Sequence, residues 1–306
     1  MILVTSYQDP DLDGTACAVG EAEVLLLKDQ EAVAGVFGKL HKETEALIQT
    51  FGLERPLYAD ELVDRADEIV IVDASDLRGL SPRIDPKKVT RVIDHRKDFS
   101  RGDFPNADFQ IELVGSAATL VTEHFVDQPV APSRTAAYLL AGAIVSNTVN
   151  FQSNVTTSRD RAMYEWLRGQ VEIPDTFVEM LFESKSTFTH EHLFEEIEHD
   201  VAWFLFGDKK IGIAQLEIVR AGQFLDEFSQ EILTVIKRLE EQNQLDTGFL
   251  TIIDIDKGND IFLCENEWLR TVLTEATGVV WDGNQATTSG IMMRKEIVPL
   301  LRKILD

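Results

Sequence analysis

Two acidic residues near the start of the chain have a spacing that suits metal binding. In the segment TSYQDPDLDGTACA, Asp11 and Asp13 stand two positions apart, shortly after an apolar run. Carboxylate oxygens are ligands that hard divalent ions prefer. The pair therefore predicts either metal ligands or, because the string DLDGT is present, an aspartate that attacks phosphate as a nucleophile.

Two later apolar runs end in residues of the same kind. EIVIVDAS contains Asp73, and VTRVIDHR contains Asp94 and His95. Ligands of parallel sheets gather at the carboxyl ends of the strands, so we expect these residues to converge with the first acidic pair. Carboxylates and an imidazole in one cleft suit Mg, Mn or Co. A carboxylate that bridges two such ions would let them activate a water molecule for phosphoryl transfer.

The elements that must position these residues alternate between apolar strand-like runs and helical patterns. Such alternation is typical of a parallel sheet that helices cover on both faces. We predict an α/β protein with an N-terminal doubly wound, mainly parallel sheet domain (residues 1–188) and a smaller C-terminal α/β domain (196–306). The linker is expected at about 186–196, and the active site in the cleft between the domains.

A second feature of the first half could bind an anion. The segment FQIELVGSAATLVTEHF predicts a strand that leads through GSAAT into a helix. This arrangement presents backbone N–H groups to a negative charge. Ser116, within GSAAT, is therefore a candidate contact for a phosphate group of a substrate.

The composition of the chain disfavours some classes of binding partner. The 306 residues include 53 Asp and Glu against 29 Lys and Arg, so the formal net charge is −24. Such a chain should repel long nucleic acids and anionic membranes. No apolar segment reaches the length of about 18 residues that suggests a membrane span. Cys17 and Cys264 lie in apolar surroundings and are expected to be buried thiols, so the reducing cytoplasm is the expected compartment.

An ordered set of motifs resembles the DHH phosphoesterase superfamily. PDLD, IVIVDAS, VIDHR, LVGSAATLV and LLAGAIVSNTVNF follow one another in the family order, and SGIMMRKEIVPLL resembles the S-R-K-x-x-x-P signature of its C-terminal domain. That domain occurs in manganese-dependent (family II) inorganic pyrophosphatases, exopolyphosphatases and Prune-type proteins. The resemblance covers nearly the whole chain, and DHR in place of DHH is closest to the Prune and exopolyphosphatase branch.

The resemblance implies roles for individual residues. Asp11, Asp13, Asp73 and His95 match metal-ligand positions, with Asp73 as the bridging carboxylate. Asp94 would orient the site. Arg96 stands where the family has a substrate-binding His. The cations of the C-terminal signature that would bind substrate phosphates fall on Arg294 and Lys295.

Several positions depart from the family pattern. Asn147 occupies the place of a ligand Asp, so it should coordinate weakly, and we expect one tightly bound ion, Mn before Mg or Co, and a second weaker one. Tyr7 stands where pyrophosphatases have a ligand His, although exopolyphosphatase and Prune relatives also lack that His. Ala202 and Met293 stand where pyrophosphatases have further cations.

A different phosphatase class is disfavoured by the same residues. Haloacid-dehalogenase-type phosphatases carry D-x-D-G-T directly after a strand, whereas Gln8, Asp9 and Pro10 intervene here and are expected to place both carboxylates on a loop. Their late G-D-x-x-x-D motif also has no counterpart, because FGDKKIG lacks the second Asp.

The sequence therefore predicts an enzyme that hydrolyses phosphoanhydrides, in pyrophosphate or short polyphosphate, with metal-activated water. Two alternatives stay open. One is phosphodiester hydrolysis on a nucleotide or short oligonucleotide. The other is a degenerate binding protein that senses phosphate or nucleotide with little turnover. The expected partner is a small phosphorylated substrate, and a homodimer is left open.

Overall fold

The computed structural model describes residues 1–96, 99–126, 128 and 130–306. By its internal packing the chain divides into two compact units. The first contains residues 1–151 and 155–184, and the second contains residues 152–154 and 185–306. The main division falls between residues 184 and 185.

The first unit is built on a six-stranded sheet whose strand pairs are all parallel. Its order is β3-β2-β1-β4-β5-β6, so the chain winds outward in one direction from β1 and in the other from β4. This is the predicted doubly wound sheet. The strands are β1 (Ile2–Thr5), β2 (Ala32–Val36), β3 (Leu57–Tyr58), β4 (Glu68–Val72), β5 (Val89–Asp94) and β6 (Asp108–Ile111).

Helices cover this sheet, and three of them pack closely at Gly142. Gly142 lets them do so, because a Cβ there would stand 2.7 Å from Leu47 Cδ1 and 3.1 Å from Leu12 Cδ2. The helices are α1 (Leu12–Leu27), α2 (Lys42–Phe51), α3 (Ala117–Val126), α4 (Arg134–Asn147), α5 (Ser158–Arg168) and α6 (Phe177–Lys185).

The start of α1 differs from the prediction that both carboxylates lie on a loop. The helix begins at Leu12, directly after Asp11, whose carboxylate caps it by accepting from Gly14 N at 2.9 Å. Asp13 lies in the first helical turn and is fully buried. Aspartate is favoured at both positions, because its carboxylate accepts from free N–H groups and interacts well with the helix dipole. Pro10 therefore lies immediately before the helix cap, and it does not extend the loop beyond Asp11.

The second unit contains a mixed sheet of order β11-β12-β10-β9-β8-β7, in which β8 and β9 are parallel and the other pairs antiparallel. One apolar cluster joins one face of the sheet to α7 and α8, and another joins the other face to α9 and α10. The elements are α7 (Leu193–Asp200), β7 (Ala202–Phe206), β8 (Lys209–Ile218), α8 (Ala221–Asn243), β9 (Thr247–Asp254), β10 (Asn259–Leu263), α9 (Glu267–Thr277), β11 (Trp281–Asp282), β12 (Gln285–Thr287) and α10 (Arg294–Leu305).

The predicted smaller C-terminal α/β domain is therefore present. In the part of the chain that the structure describes, no helix is both long enough and apolar enough to cross a membrane.

Candidate metal centre

Asp13, Asp73 and His95 bring three potential metal ligands together in the first unit. One ligand atom from each residue lies within 4.8 Å of the others. Nε2 of His95 is 3.5 Å from Oδ1 of Asp73 and 3.9 Å from Oδ2 of Asp13. Asp13 follows β1 and Asp73 follows β4, the two strands at which the sheet reverses its winding. This is the place where doubly wound sheets bind ligands.

The ring of His95 is oriented for metal binding by a backbone contact. Its Nδ1 lies 2.9 Å from the carbonyl oxygen of Val114. A carbonyl can only accept, so Nδ1 carries a proton, and Nε2 is the nitrogen that is left to bind a metal. Nε2 faces the two carboxylates, and a metal-binding histidine is oriented by such a contact at its other ring nitrogen.

Asp13 is held by the N-terminus of α3. Its carboxylate accepts from Ser116 Oγ at 2.9 Å, from Ala117 N at 2.9 Å and from Ala118 N at 2.8 Å. The anion that this helix N-terminus binds is thus a side chain of the protein itself. Ser116, predicted to contact substrate, is fully buried and lies behind Asp13.

Asp73 adopts a backbone conformation that few non-glycine residues take. Its φ is 52°, in the left-handed region, where aspartate is tolerated better than most residues. The backbone N–H of Asp73 continues the sheet by donating to Ile93 O at 2.8 Å. Its side chain is almost fully buried. Such a strained residue beside a ligand cluster is typical of functional sites.

Burial raises the pKa of both carboxyl groups at this position. Burial and the neighbouring charge of Asp13 raise the pKa of Asp73 to about 7. Burial also raises the pKa of Asp13, with a further contribution from Asp11 and an opposing one from His95. A divalent ion here would favour both ionised forms. The three side chains therefore fit a divalent metal in donor type, in the orientation of the His95 ring and in charge.

Asp11 lies beside this group but is not part of it. One of its oxygens, Oδ1, caps α1. Its charge nonetheless contributes to the raised pKa of Asp73. Asp11 is thus close enough to act on the centre electrostatically, and its role as a ligand stays a prediction.

Asp94, Arg96 and Tyr7 form a layer next to the ligands. Oδ1 of Asp94 accepts from the backbone N–H of His95 at 2.7 Å, and Oδ2 is buried without a hydrogen-bond partner among the described residues. The guanidinium of Arg96 donates to the carbonyl of Asp73 at 2.7 Å and lies 5.8 Å from the centre of the Tyr7 ring. The charges of Asp73 and Asp94 raise the pKa of Arg96 more than burial lowers it, so it stays charged.

Asn147, the last residue of α4, also reaches the centre. Its amide nitrogen donates to Oδ2 of Asp13. The preceding residue, Ser146, donates to Oε2 of Glu43 at 2.6 Å, and Oε1 of this buried Glu43 accepts weakly from Leu12 N at 3.4 Å. The end of α4 and the start of α1 are thus both tied to α2.

The predicted phosphate-binding cations lie in the second unit, at the start of α10. Lys295 is exposed. Arg294 is engaged by its own unit: its guanidinium lies 2.8 Å from Oδ1 of Asp200 and donates to the carbonyl of Asp200 and, at 3.1 Å, to that of Ile213. This arrangement gives Arg294 a structural role that the sequence did not indicate.

Sequence reasoning missed the groups that hold the ligands from behind. They are the Val114 carbonyl and the Ala117 and Ala118 amides. Sequence reasoning also missed Glu43, which contacts Leu12 and Ser146, the neighbours of Asp13 and Asn147. Backbone groups have no signature in sequence, although GSAAT before a helix did indicate an anion site. Glu43 had no local signal, since its partners lie 31 and 103 residues away.

Comparison with known families and proteins gives a consistent result. Residues 179–304 match the DHHA2 domain. A Clostridium acetobutylicum protein named "Probable manganese-dependent inorganic pyrophosphatase" is 25% identical over 308 aligned positions, which cover 100% of this chain and 98% of the relative. A Listeria monocytogenes protein of the same name is 28% identical, with 98% of this chain and 97% of the relative covered.

Solved structures agree in fold. The crystal structure of a Methanococcus jannaschii protein described as a "putative family II inorganic pyrophosphatase" matches with a TM-score of 0.79 at 25% identity, covering 100% of this chain and 99% of the other. An exopolyphosphatase-related protein from Bacteroides fragilis matches with a TM-score of 0.53 at 13% identity, covering 99% and 91%. The second likeness concerns the fold alone.

Proposed function

Because the chain belongs to the DHH phosphoesterase superfamily, we propose that it is a metal-dependent hydrolase of phosphoanhydrides, with inorganic pyrophosphate or short-chain polyphosphate as substrate. The observation that carries this proposal is the group of Asp13, Asp73 and His95 at the switch point of the sheet. The names of the full-length relatives support manganese as the metal and pyrophosphate as the first substrate to test.

The proposed ligands are those three residues, with Asp11 and Asn147 as weaker ones. These residues would hold a divalent ion, which would supply activation of water and neutralisation of charge on the transferred phosphoryl group. The protein contributes rigid positions for the ligands, since His95 is fixed by Val114 and Asp13 by the start of α3. Preorganised ligands reduce the reorganisation that the reaction would otherwise require.

Arg96 is the proposed substrate contact nearest the metal. Its side chain is 45% exposed, while one edge of the guanidinium is fixed on the Asp73 carbonyl. The remaining N–H groups can donate to phosphate oxygens in a planar fork. Lys295 and Arg294, in the second unit, are also proposed to bind substrate phosphates, although Arg294 is already paired with Asp200.

Asn147 favours a second candidate function, which is metal-dependent phosphate or nucleotide binding with little turnover. Its N–H group points at the Asp13 oxygen that faces His95, where a second carboxylate would bind metal more strongly. A centre with one tight ion could bind a phosphorylated ligand without the second ion that assists attack. In either case we propose that the protein acts in the cytoplasm on a small phosphorylated molecule.

The test is phosphate release from pyrophosphate, tripolyphosphate and a cyclic dinucleotide, each with Mn²⁺, Mg²⁺ and Co²⁺. We expect the fastest release from a phosphoanhydride with Mn²⁺, and loss of at least a hundredfold in Asp73→Asn. The matched control is Asp64→Asn, which neutralises an aspartate that is 81% exposed and paired with Arg83 on the surface.

Three outcomes separate the candidates. Hydrolysis of a phosphoanhydride that Asp73→Asn loses and Asp64→Asn keeps supports the proposal. Preferred hydrolysis of the cyclic dinucleotide would assign the centre to phosphodiesters. No release from any substrate, with Mn²⁺ still bound, would favour the binding function.

A further inference from the structure

We propose that Asp160, which belongs to α5 and not to the ligand group, is a positioning residue that fixes Asp13 and His95 together. The inference rests on the metal centre of the proposed function. It concerns the segment 114–118, which contacts both ligands and is itself held by Asp160.

Asp160 is fully buried and accepts from several donors at once. Both of its oxygens lie 3.0 Å from the backbone nitrogen of Gly115, and Oδ1 also accepts from Thr119 Oγ1 at 2.6 Å. Oδ2 accepts from the backbone nitrogen and the hydroxyl of Thr157, each at 2.7 Å. The contact from the Thr157 backbone belongs to the capping box of α5, in which the Thr157 hydroxyl also accepts from Asp160 N. The contacts to Gly115 and Thr119 have no part in that cap, and they connect Asp160 to the ligand-holding segment.

Gly115 stands between the two groups that hold the ligands. The residue before it, Val114, accepts from Nδ1 of His95, and the residue after it, Ser116, donates to Asp13. The space at Gly115 is fully used, because a Cβ there would stand 2.6 Å from Thr148 Cγ2 and 3.0 Å from Oδ2 of Asp160. The segment therefore has little room to shift, and its hydrogen bonds to Asp160 hold it in place.

An amide in place of the carboxylate would disturb this arrangement. Asparagine offers one oxygen to the N–H and O–H donors that two oxygens now accept, and its NH₂ group would face one of them. A buried donor without an acceptor is costly, so the segment should shift. Both ligands would then move, although neither is altered. Residues that orient ligands in this way typically change metal affinity 10–100-fold when they are replaced.

The experiment is calorimetric titration of Mn²⁺ alone into the full-length wild type, Asp160→Asn and Thr157→Ala. Thr157→Ala is the matched control, because it weakens the same capping box but leaves the contact to Gly115 in place. Thermal unfolding of the metal-free proteins records the loss of stability in each variant. We expect Mn²⁺ affinity at least tenfold weaker in Asp160→Asn and within twofold of wild type in Thr157→Ala.

Each outcome decides the question. If Asp160→Asn folds and binds Mn²⁺ as tightly as the wild type, or if Thr157→Ala weakens Mn²⁺ binding equally, Asp160 is only a helix cap and the inference is wrong while the proposed function stands. If the wild type binds no Mn²⁺, the inference and the proposed function both fail. If Asp160→Asn does not fold, Gly115→Ala decides in the same way, since its Cβ displaces the segment directly.

Discussion

The side-chain amide of Asn147 donates a hydrogen bond to Oδ2 of Asp13, at the end of α4 and the start of α1. The contact gives Asp13 a neutral neighbour where the resemblance to the DHH superfamily predicts a carboxylate. The centre thus has less negative charge with which to hold two divalent ions. The effect of this lower negative charge on the number of bound metal ions can be measured directly.

Replacing Asn147 by aspartate should tighten the second ion. The added carboxylate supplies a charged oxygen next to Asp13, so we expect the second Mn²⁺ to bind at least tenfold more tightly in Asn147→Asp. Without metal, the variant should be less stable, because another partly buried carboxylate faces like charges. Titration calorimetry and metal-free thermal unfolding measure the two effects.

Asn106→Asp is the control for Asn147→Asp, since Asn106 lies on the surface of the same unit and donates to Lys87 O. Asn106→Asp should change neither the affinity for the second Mn²⁺ nor the stability of the metal-free protein. Two ions that already bind tightly to the wild type would contradict the account of Asn147.

Replacing Ser116 by alanine should weaken metal binding rather than substrate binding. The hydroxyl donates to Asp13 from a fully buried position, so its loss should loosen a ligand and lower Mn²⁺ affinity roughly tenfold. Thr122→Val removes another buried hydroxyl of α3, one that donates to Ala118 O and not to Asp13, and should leave the affinity unchanged. A raised KM with native Mn²⁺ affinity would instead return Ser116 to the role of substrate contact.

Replacing Arg294 by alanine should destabilise the second unit. The change leaves Asp200, whose pKa burial already raises, without its cation. We expect a loss of about 1–2 kcal/mol in the free energy of unfolding, because the pair is partly buried and Arg294 also donates to two backbone carbonyls. Arg302→Ala, which removes an exposed ion pair to Asp306 in the same helix, should lose under about 1 kcal/mol. Lys295→Ala should raise KM, and equal stability of the Arg294→Ala and Arg302→Ala variants would refute the structural role of Arg294.

Much of the first unit follows from sequence because its strands are continuous apolar runs. Such runs predicted the parallel sheet, and the polar residues that end them, Asp73 and His95, could be assigned to one edge from their positions alone. The prediction went wrong at Asp13, since Pro10 was taken to extend a loop when it only precedes the helix cap. Local capping chemistry at Asp11 contained the correct signal.

Long-range partners could not be predicted. Asp160 reaches Gly115 across 45 residues, and Arg294 reaches Asp200 across 94. The local sequence explains each residue in an ordinary way, because Asp160 caps a helix and Arg294 begins one. Their further contacts depend on how helices and strands pack, which hydrophobic periodicity does not specify.

The second unit should lose stability as pH rises, because of Asp260. Burial raises the pKa of this carboxyl to about 8, so the folded state keeps its proton where the unfolded state, near 3.8, has lost it. Between these values the folded protein binds more protons, and stability falls by up to about 1.4 kcal/mol per pH unit. Asp260→Asn stays neutral and should show a smaller fall between pH 6 and pH 8 in chemical denaturation. If the free energy of unfolding falls equally with pH in the wild type and in Asp260→Asn, Asp260 ionises in the folded state as it does in the unfolded one.

The most direct test of the metal centre is titration of Mn²⁺ into wild type, Asp73→Asn and Asp64→Asn, followed by calorimetry. The account predicts one tightly bound ion per chain in the wild type and in Asp64→Asn, and loss of tight binding in Asp73→Asn. Undiminished Mn²⁺ affinity in Asp73→Asn would contradict it, because the ion would then lie outside the group of Asp13, Asp73 and His95.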